Sequence, residues 1–420
     1  MNSEKQPARD NLSARERGLR QTFRALSYPN YRLWFIGQVI SLFGTWMQST
    51  AQGFLVYELT HSPAYLGYVA FAAGLPTWLF TLLGGVASDR IPRRTLLLIT
   101  QSCMMVLAFI LAGLTFSGLI QPWQIIILAF MLGVANSFDA PARLALAPEL
   151  VDRKDLTNAI ALNATMFNIA TIVGPAAAAL VYAYMGPSWC FFLNGLSFIA
   201  VIIALFAMKL PVQNENIRRL TPFIELKDGL RYVFLEKTVL SLIALIGITS
   251  LFGFSFITLI PAWSVEVLGG GVKVNGLLNS ARGLGALIAA LSIASMGRAL
   301  LRGRTLTIGT FVTPILLFIF SLSRWLSLSF LIMMGIGGAL ILIVNLINSL
   351  IQTQVSDELR GRVMSIYSLT FFGAMSIGSL IVGEVAGLFN EQTALRVGSI
   401  ILLISASIFW YFVPTIRKLQ

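Results

Sequence analysis

Ionisable side chains inside long apolar runs are the first candidates for chemistry in this 420-residue sequence. Glu384 and Arg282 each lie several residues inside such a run, and Glu58 lies at the end of another. Charges at this depth are costly in lipid and are functional hypotheses by default. Because His61 is the only histidine, a proton relay would need carboxylates, and Glu384 in a low dielectric could take up a proton. A static Glu384–Arg282 ion pair is the alternative, and Glu58 could simply extend to the interface.

Uncharged polar side chains form two rows at steps of three and four, so each row lies on one face of a helix. The first row contains Gln38, Ser41, Thr45, Gln48 and Gln52. The second row contains Asn345, Asn348, Ser349 and Gln352. Because polar faces in lipid need a partner or water, we predict that both rows line a solvated cavity, together with Asn136. Hydrogen bonds that join helices, worth about 1 kcal/mol each, are the alternative explanation.

A short charged loop, GVASDRIPRR from Gly85 to Arg94, separates two apolar runs. Basic residues at a membrane edge commonly mark topology only. An acid such as Asp89 is not needed for that purpose, whereas a carboxylate near helix N-termini and arginines can hold two elements together. The loop is therefore a candidate latch, with a plain topology signal as the alternative.

The elements that carry these residues are predicted from composition. Hydrophobic residues make up 56% of the chain and charged residues 11%, against about 45–50% and 25% in soluble domains. Windows of about 20 apolar residues suit transmembrane α-helices, and continuous runs exclude a β-barrel. Twelve such spans are predicted, roughly at 33–58, 64–88, 95–118, 122–140, 158–185, 189–208, 239–262, 274–297, 305–326, 329–353, 363–389 and 394–413.

The distribution of basic residues along the chain indicates its topology in the membrane. Nearly all of the 30 Lys and Arg residues lie in the two tails and in alternate loops, whereas the other loops contain only Lys273. The positive-inside rule therefore places both termini on the cytoplasmic side. The expected location is a bacterial inner membrane. Contact with anionic lipid explains the net charge of +12, so no nucleic acid partner is expected. Residues 12–26 are predicted to form an amphipathic helix on the inner leaflet.

The longest polar interval divides the spans into six and six. The predicted organisation is an N-terminal tail (1–32), a six-helix bundle (33–208), a central loop (209–238), a second six-helix bundle (239–413) and a tail (414–420). The motif ELVDR at Glu149 recurs as ELRGR at Glu358, and Arg93 recurs as Arg302, at the same offset of 209 residues. Such an offset is typical of two parallel six-helix halves.

The loop motif and four longer stretches together resemble the major facilitator superfamily, in its siderophore and macrolide exporter branch. The stretches are FRALSYPNYRLWFIGQVIS, VYELTHSPAYLGYV, ANSFDAPARLALAPEL and SDELRGRVMSIY. The resemblance covers nearly the whole chain and implies that helices one, four, seven and ten line a central cavity. It also implies a cytoplasmic latch that biases the protein toward its outward-open state and that involves Gly85, Asp89, Arg90, Arg93, Asp139 and Arg143, with Asp139 as the partner of Arg93.

Gly174 and Pro175 in the fifth span indicate a bend at a tight helix interface. They resemble an exporter motif of the superfamily, although a packing kink would look the same.

The predicted function is therefore proton-coupled export of small amphipathic molecules by a monomer. The glycine-rich stretch from Gly269 to Gly276 lacks Walker spacing, and no metal or catalytic motif is apparent, so we expect no cofactor and no enzymatic activity. Uniport or uptake of a small metabolite is the closest alternative, and a receptor or an enzyme on the same helical scaffold is more remote.

Overall fold

The computed structural model describes residues 23–209, 222–296 and 302–418. The predicted amphipathic helix at 12–26 lies outside the described residues except for its last four positions, and parts of the two tails and of the central loop also lie outside them. A short 3-10 turn at Arg24–Ser27 precedes the first long helix.

Within the described ranges twelve long helical segments follow, with bounds close to the predicted spans. They are α1 (Pro29–Thr60), α2 (Pro63–Arg90), α3 (Arg93–Phe116), α4 (Pro122–Leu146), α5 (Leu156–Met185), α6 (Pro187–Ala207), α7 (Lys237–Val267), α8 (Val272–Met296), α9 (Arg302–Leu322), α10 (Leu326–Gln354), α11 (Asp357–Leu388) and α12 (Glu391–Phe412). A shorter helix at Pro222–Leu235, which we call the linker helix, precedes α7.

Eleven of the described helices, α2 to α12, are long and apolar enough to cross a membrane. With 32 residues α1 is also long enough, but its row of amides and hydroxyls lowers its mean hydropathy. The chain is therefore a multi-pass membrane protein, and the predicted all-α fold is confirmed.

Prolines begin several of the long helices. Pro29, Pro63, Pro122 and Pro187 each occupy the first turn of a helix. Proline suits this position because its missing N–H would be unpaired there and its φ is already helical. Between α5 and α6 the connection is only Gly186, whose φ of 93° favours glycine.

The irregular helix is α7. It is α-helical from Lys237 to Ile248 and then continues through π and 3-10 turns to Val267. Such departures from α-helix are frequent at functional sites. Here the irregular part buries the hydroxyls of Ser250 and Ser255 between helices.

Two seams join the first six helices to the last six. In one seam α2 packs against α11, and in the other α5 packs against α8. Glycines allow the close approach: a Cβ at Gly67 would lie 2.8 Å from the carbonyl oxygen of Ser379, and one at Gly276 would lie 2.5 Å from that of Pro175. Gly67 and Gly276 are separated by the same offset as the repeated loop motifs, so the two seams are related by the internal repeat.

The two ends of the molecule are named from their loops. We call the end where α2 gives way to α3, at Arg90 and Arg93, the basic end. The opposite end, where α1 gives way to α2 near His61, is the far end. Gly67 and Gly276 both lie in the far-end half of their helices, so the halves are joined most closely there.

Candidate functional site

A cavity of about 440 Å³ lies between the two halves near their middle. Its walls come from α1, α2, α3, α4 and α6 on one side and from α7, α8 and α11 on the other. The sequence-predicted residues in its lining are Thr45, Gln48, Gln52 and Asn136. We call this space the central cavity.

Thr45, Gln48 and Gln52 of the first polar row line the cavity, whereas Gln38 and Ser41 are absent from its lining. Gln48 is buried and its Oε1 accepts a hydrogen bond of 2.7 Å from Nδ2 of Asn194 in α6. The Thr45 hydroxyl donates to the carbonyl oxygen of Ser41, at 2.9 Å. Gln48 therefore lies in the cavity lining and also contacts α6, because this helical face meets a neighbouring helix along one edge and the cavity along the other.

The structure places the second polar row elsewhere. Asn345, Asn348 and Gln352 are absent from the lining of the central cavity. Gln352 is exposed and its Nε2 donates to Oδ1 of Asn348 at 2.6 Å, while Arg360 donates to its carbonyl oxygen. Spacing by three and four predicts a shared face, but the direction of that face depends on how α10 packs.

Sequence reasoning missed three amides of the lining, Asn194, Asn275 and Asn279. Two of them lie on α8 with Arg282, at steps of four and three. This spacing was available in the sequence and would have indicated a third polar face. Nδ2 of Asn279 donates to the backbone carbonyl of Asn275 at 3.0 Å, which orders this face of α8.

Aromatic side chains separate the central cavity from a second one of about 420 Å³ toward the basic end. Phe372 of α11 contributes to both linings. Next to it, Trp78 of α2 packs so closely on Gly373 that a Cβ there would lie 2.8 Å from the indole. Trp78 and Phe372 thus form a layer between the two spaces.

The basic-end cavity contains the predicted latch residues of α2. Gly85, Asp89 and Arg90 line it, opposite Arg362 and Ser365 of α11. Asp89 and Arg90 are exposed, and within the described ranges neither forms an ion pair. A Cβ at Gly85 would meet nothing within 4 Å. The halves are therefore apart at this position.

The structure gives Arg93 a different carboxylate from the expected one. Arg93 pairs with Glu149, in the turn after α4, and donates to the carbonyl oxygen of Ala145 at 3.0 Å. The reason is position along the helix: Glu149 lies beside the start of α3, whereas Asp139 is more than two turns further into α4.

Asp139 is instead buried between α3 and α4. Its carboxylate accepts hydrogen bonds from Thr100 at 3.0 Å and Gln101 at 2.8 Å. Arg143, one turn along α4, places its Nε 3.8 Å from the other oxygen. Both Asp139 and the Arg93–Glu149 pair lie within the first half, so neither contact crosses between the halves.

Two carboxylates at the far end accept hydrogen bonds from tyrosines of the other half. The Tyr68 hydroxyl of α2 donates to Glu384 of α11 at 2.5 Å, across the seam. Similarly, the Tyr57 hydroxyl of α1 donates to Glu266 of α7 at 2.7 Å. These two hydrogen bonds join the halves at the far end.

Glu384 and Arg282 do not form the ion pair considered from the sequence. Glu384 is held by Tyr68, while Arg282 faces the central cavity. Glu58 is exposed and accepts a hydrogen bond from Tyr182 within the first half. An apolar sequence context indicates depth in the membrane, but it does not identify the neighbouring helix.

Helix α5 contacts helices of its own half and a helix of the other half. A Cβ at Gly174 would lie 2.3 Å from Cβ of Trp46 in α1, and the carbonyl oxygen of Pro175 faces Gly276 of α8. Ser280 of α8 donates to the carbonyl oxygen of Ile172 at 2.7 Å. The Gly174–Pro175 step therefore sits where α5 contacts its own half and the other half at once.

At the basic end the described N-terminal segment is held against the start of α5. The Tyr28 hydroxyl donates to Asp155 at 2.8 Å and to Asp152 at 2.9 Å. Hydrogen bonding to Asp155 is the main cause that raises the pKa of Tyr28 to about 12. A hydrogen bond from Lys154 is the main cause that lowers the pKa of Asp152.

Comparison with known proteins extends these observations. A profile of a family described as transmembrane secretion effectors matches residues 20–418. The staphyloferrin A transporter of Staphylococcus aureus is 25% identical over 93% of this chain and 97% of its own length. The enterobactin exporter of Salmonella typhi is 24% identical, covering 94% of each chain. The macrolide efflux protein A of Streptococcus pyogenes is 24% identical over 94% of this chain and 99% of its own length.

Solved structures show the same fold at lower identity. A nucleoside transporter superposes with a TM-score of 0.71 at 14% identity, over 92% of this chain and 99% of that one. A D-xylose-proton symporter superposes with a TM-score of 0.70 at 13% identity, over 91% and 98%. The two-half arrangement is thus shared with transporters whose stated substrates differ from one another.

Proposed function

On the premise that the chain belongs to the transmembrane secretion effector family of the major facilitator superfamily, as its motifs predicted, we propose that it exports small amphipathic molecules by alternating access. Protons moving in the opposite direction would drive the cycle. The coarser statement, that the chain is a membrane transporter of small molecules, follows from the family and from the named relatives.

One observation carries the proposal. The central cavity takes its walls from both halves, and the closest contacts between the halves lie on its far-end side. Toward the basic end, Phe372 lines both this cavity and a second one, with Trp78 beside it. A molecule bound between two rocking halves would be exposed alternately to the two ends, which is the general scheme for transporters built from repeats.

The direction rests on topology and on the relatives. With basic loops in the cytoplasm, the arrangement corresponds to an inward-facing state that takes up cargo from the cell. The enterobactin exporter and the macrolide efflux protein are named for outward movement. The Gly174–Pro175 step, at the contact of α5 with α8, agrees with the exporter resemblance.

The cargo is inferred from the lining. Trp46, Phe198 and Phe372 offer aromatic surface, and Gln48 and Asn136 offer amides. Aromatic walls with a few polar groups suit a molecule that is part apolar and part polar.

Glu384 is the preferred coupling residue. Its hydrogen bond from Tyr68 exists only while α2 and α11 are together at the far end. A hydrogen bond to an ionised acceptor is worth about 1.5–3 kcal/mol, more than one to a neutral acceptor. Protonation of Glu384 would therefore weaken this contact and favour opening of the far end. Glu58 is a second candidate, although its tyrosine partner lies in the same half.

Asp89, Arg90 and Arg93 form the proposed basic-end latch. In the opposite state α2 and α11 would approach at this end, where Asp89 now lies across a cavity from Arg362. Arg93 would act by holding the start of α3 against Glu149, and Asp139 with Arg143 would order α4 beneath it.

The test is transport in inverted membrane vesicles. Erythromycin, enterobactin, staphyloferrin A and ethidium are supplied with an imposed proton gradient, with and without an uncoupler. We expect accumulation of at least one probe that the uncoupler abolishes and that Glu384→Gln reduces strongly. Glu358→Gln is the matched control, because this glutamate lies on the same helix α11 but is exposed at the basic end, away from the far-end contacts. Accumulation that survives the uncoupler would refute proton coupling, and movement only in the reverse orientation would refute export.

A further inference from the structure

Arg282 is the one charged side chain in the described lining of the central cavity. Its Nε is buried and finds no hydrogen-bond acceptor among the described residues. The ion pairs formed within the described ranges do not include it. Leaving a buried donor of a charged group without an acceptor is costly, so Arg282 is suited to a ligand that supplies an acceptor for its Nε.

A second unsatisfied donor lies on the same helical face. Asn275 is buried and lines the cavity two turns from Arg282, and its Nδ2 also has no acceptor within the described part of the chain. Asn279 lies between them and already donates to Asn275. Since most buried polar groups in folded proteins are hydrogen-bonded, two unmatched donors on one face indicate a site for a group that only accepts.

Two acidic residues of the far end are engaged by tyrosines. Glu384 accepts from Tyr68 and Glu266 accepts from Tyr57. The backbone of Arg282 is held in place by α10, because a Cβ on Gly337 would come within 2.0 Å of its carbonyl oxygen. Arg282 is therefore carried by a helix that packs closely on α10, and the described lining of the cavity contains no carboxylate.

We propose that Arg282 and Asn275 bind a carboxylate of the transported molecule. The cargo is then a small carboxylate-bearing amphiphile rather than a lipophilic cation, and this inference rests on the proposed export function. A guanidinium offers paired N–H donors whose geometry fits a carboxylate. The apolar part of the cargo would lie against Trp46, Phe198 and Met104, which line the same cavity.

Two probes that differ only in the anionic group test the proposal. Dansyl-leucine carries a carboxylate, whereas dansyl-leucinamide is neutral at pH 7.5. Binding to the purified full chain in phosphatidylcholine nanodiscs is measured by energy transfer from tryptophan, and Trp46 lies in the cavity wall. We expect dansyl-leucine to bind at least about tenfold more tightly, the ratio expected for one hydrogen bond between charged partners.

Variants of Arg282 test whether the preference for the carboxylate probe depends on this residue. Arg282→Gln is expected to bring the affinity ratio of the two probes to about one, and Arg282→Lys to keep part of it because the charge remains. Arg396→Gln is the matched control: Arg396 also has a buried Nε without an acceptor in the described residues, but it lies on α12 outside the cavity lining. This variant should leave the ratio unchanged.

Three results would overturn the proposal. These are equal affinity of the unaltered protein for both probes, an undiminished ratio in Arg282→Gln, and an equal loss in Arg282→Gln and Arg396→Gln. The vesicle assay distinguishes failure of the proposed carboxylate site from failure of the proposed export function. Gradient-driven export of erythromycin without any carboxylate preference would refute the anion site alone, whereas absence of transport for every probe would refute the export function itself.

Discussion

The two seams between the halves occupy equivalent places in the internal repeat, yet their chemistry differs. In the α2–α11 seam, Tyr68 donates to Glu384. At the corresponding positions of the α5–α8 seam, 209 residues away in each case, the chain has Leu277 and Pro175. One seam therefore carries a titratable group between the halves and the other carries a bend.

The α5–α8 seam is joined by neutral or exposed groups. Ser280 donates to the carbonyl oxygen of Ile172, and Lys273 approaches Tyr184 only at the exposed rim of the far end. Glycines at equivalent positions, Gly67 and Gly276, persist in both seams because both require close backbone approach. The repeat thus preserved the packing, while only one copy acquired a group whose protonation can change the strength of the contact.

The largest expected effect comes from locking the α2–α11 seam covalently. A Cβ at Gly387 would lie 3.3 Å from Cβ of Ala64, close to the roughly 3.5–4.5 Å of disulfides. In a background that lacks Cys103 and Cys190, Ala64→Cys with Gly387→Cys should form a disulfide and stop transport almost completely. Reductant should restore transport. The two single variants serve as controls, and full transport by the cross-linked protein would show that this seam does not open.

Replacing a seam glycine by a large side chain should have the next largest effect. Gly67→Ile and Gly276→Ile both force backbones apart, and overpacking costs about 1–3 kcal/mol, so each should shift the closed far end toward opening by about 5- to 140-fold. Labelling of Gln52→Cys by a membrane-impermeant thiol reagent from the far end measures the shift. Gly113→Ile is the control, since a Cβ at Gly113 meets nothing within 4 Å. Unchanged labelling in both seam variants would contradict the assigned closure.

Removing the hydrogen bonds should distinguish the two seams. Tyr68→Phe and Glu384→Gln are each expected to lower gradient-driven transport by about tenfold and to flatten its pH dependence, because they remove the contact to an ionised acceptor. Since the two residues share that bond, the double variant should lose little more than either single variant. Ser280→Ala should change the rate much less and leave the pH profile intact. An equal effect of Ser280→Ala on the pH profile would erase the proposed distinction.

The smallest effect is expected at the opposite end of α2. Asp89 is exposed in this arrangement, and exposed ion pairs contribute about 0.2–1 kcal/mol. Asp89→Asn should therefore slow cycling by no more than about fivefold, without changing the order of preference among transported probes. Initial rates and competition between probes measure both quantities. A changed order of preference would mean that Asp89 contacts cargo rather than forming a latch.

The polar rows illustrate how far the sequence reaches toward the site. Both rows have the same spacing, but the structure brings Gln48 and Gln52 to the central cavity and leaves Asn345 and Asn348 outside its lining. Periodicity defines a face relative to its own helix axis only. The rotation of that helix within the bundle is decided by the residues that pack on its other sides.

The sequence alone determined that the chain is helical, that it spans the membrane many times and that it contains a repeat of six spans. Hydropathy and loop charge are sums over neighbouring residues, so they can be evaluated without tertiary contacts. The family also followed, because several motifs recur in the right order.

Tertiary structure decided the partners. Arg93 pairs with Glu149, and Glu384 accepts a hydrogen bond from a tyrosine that lies 316 residues away in the chain. Arg282 is the one charged residue in the described lining of the central cavity. Each choice depends on which helices touch and at what height: between two and three helical turns separate Glu149, the partner of Arg93, from Asp139. Such differences are set by the packing of whole helices, which no local stretch of sequence encodes.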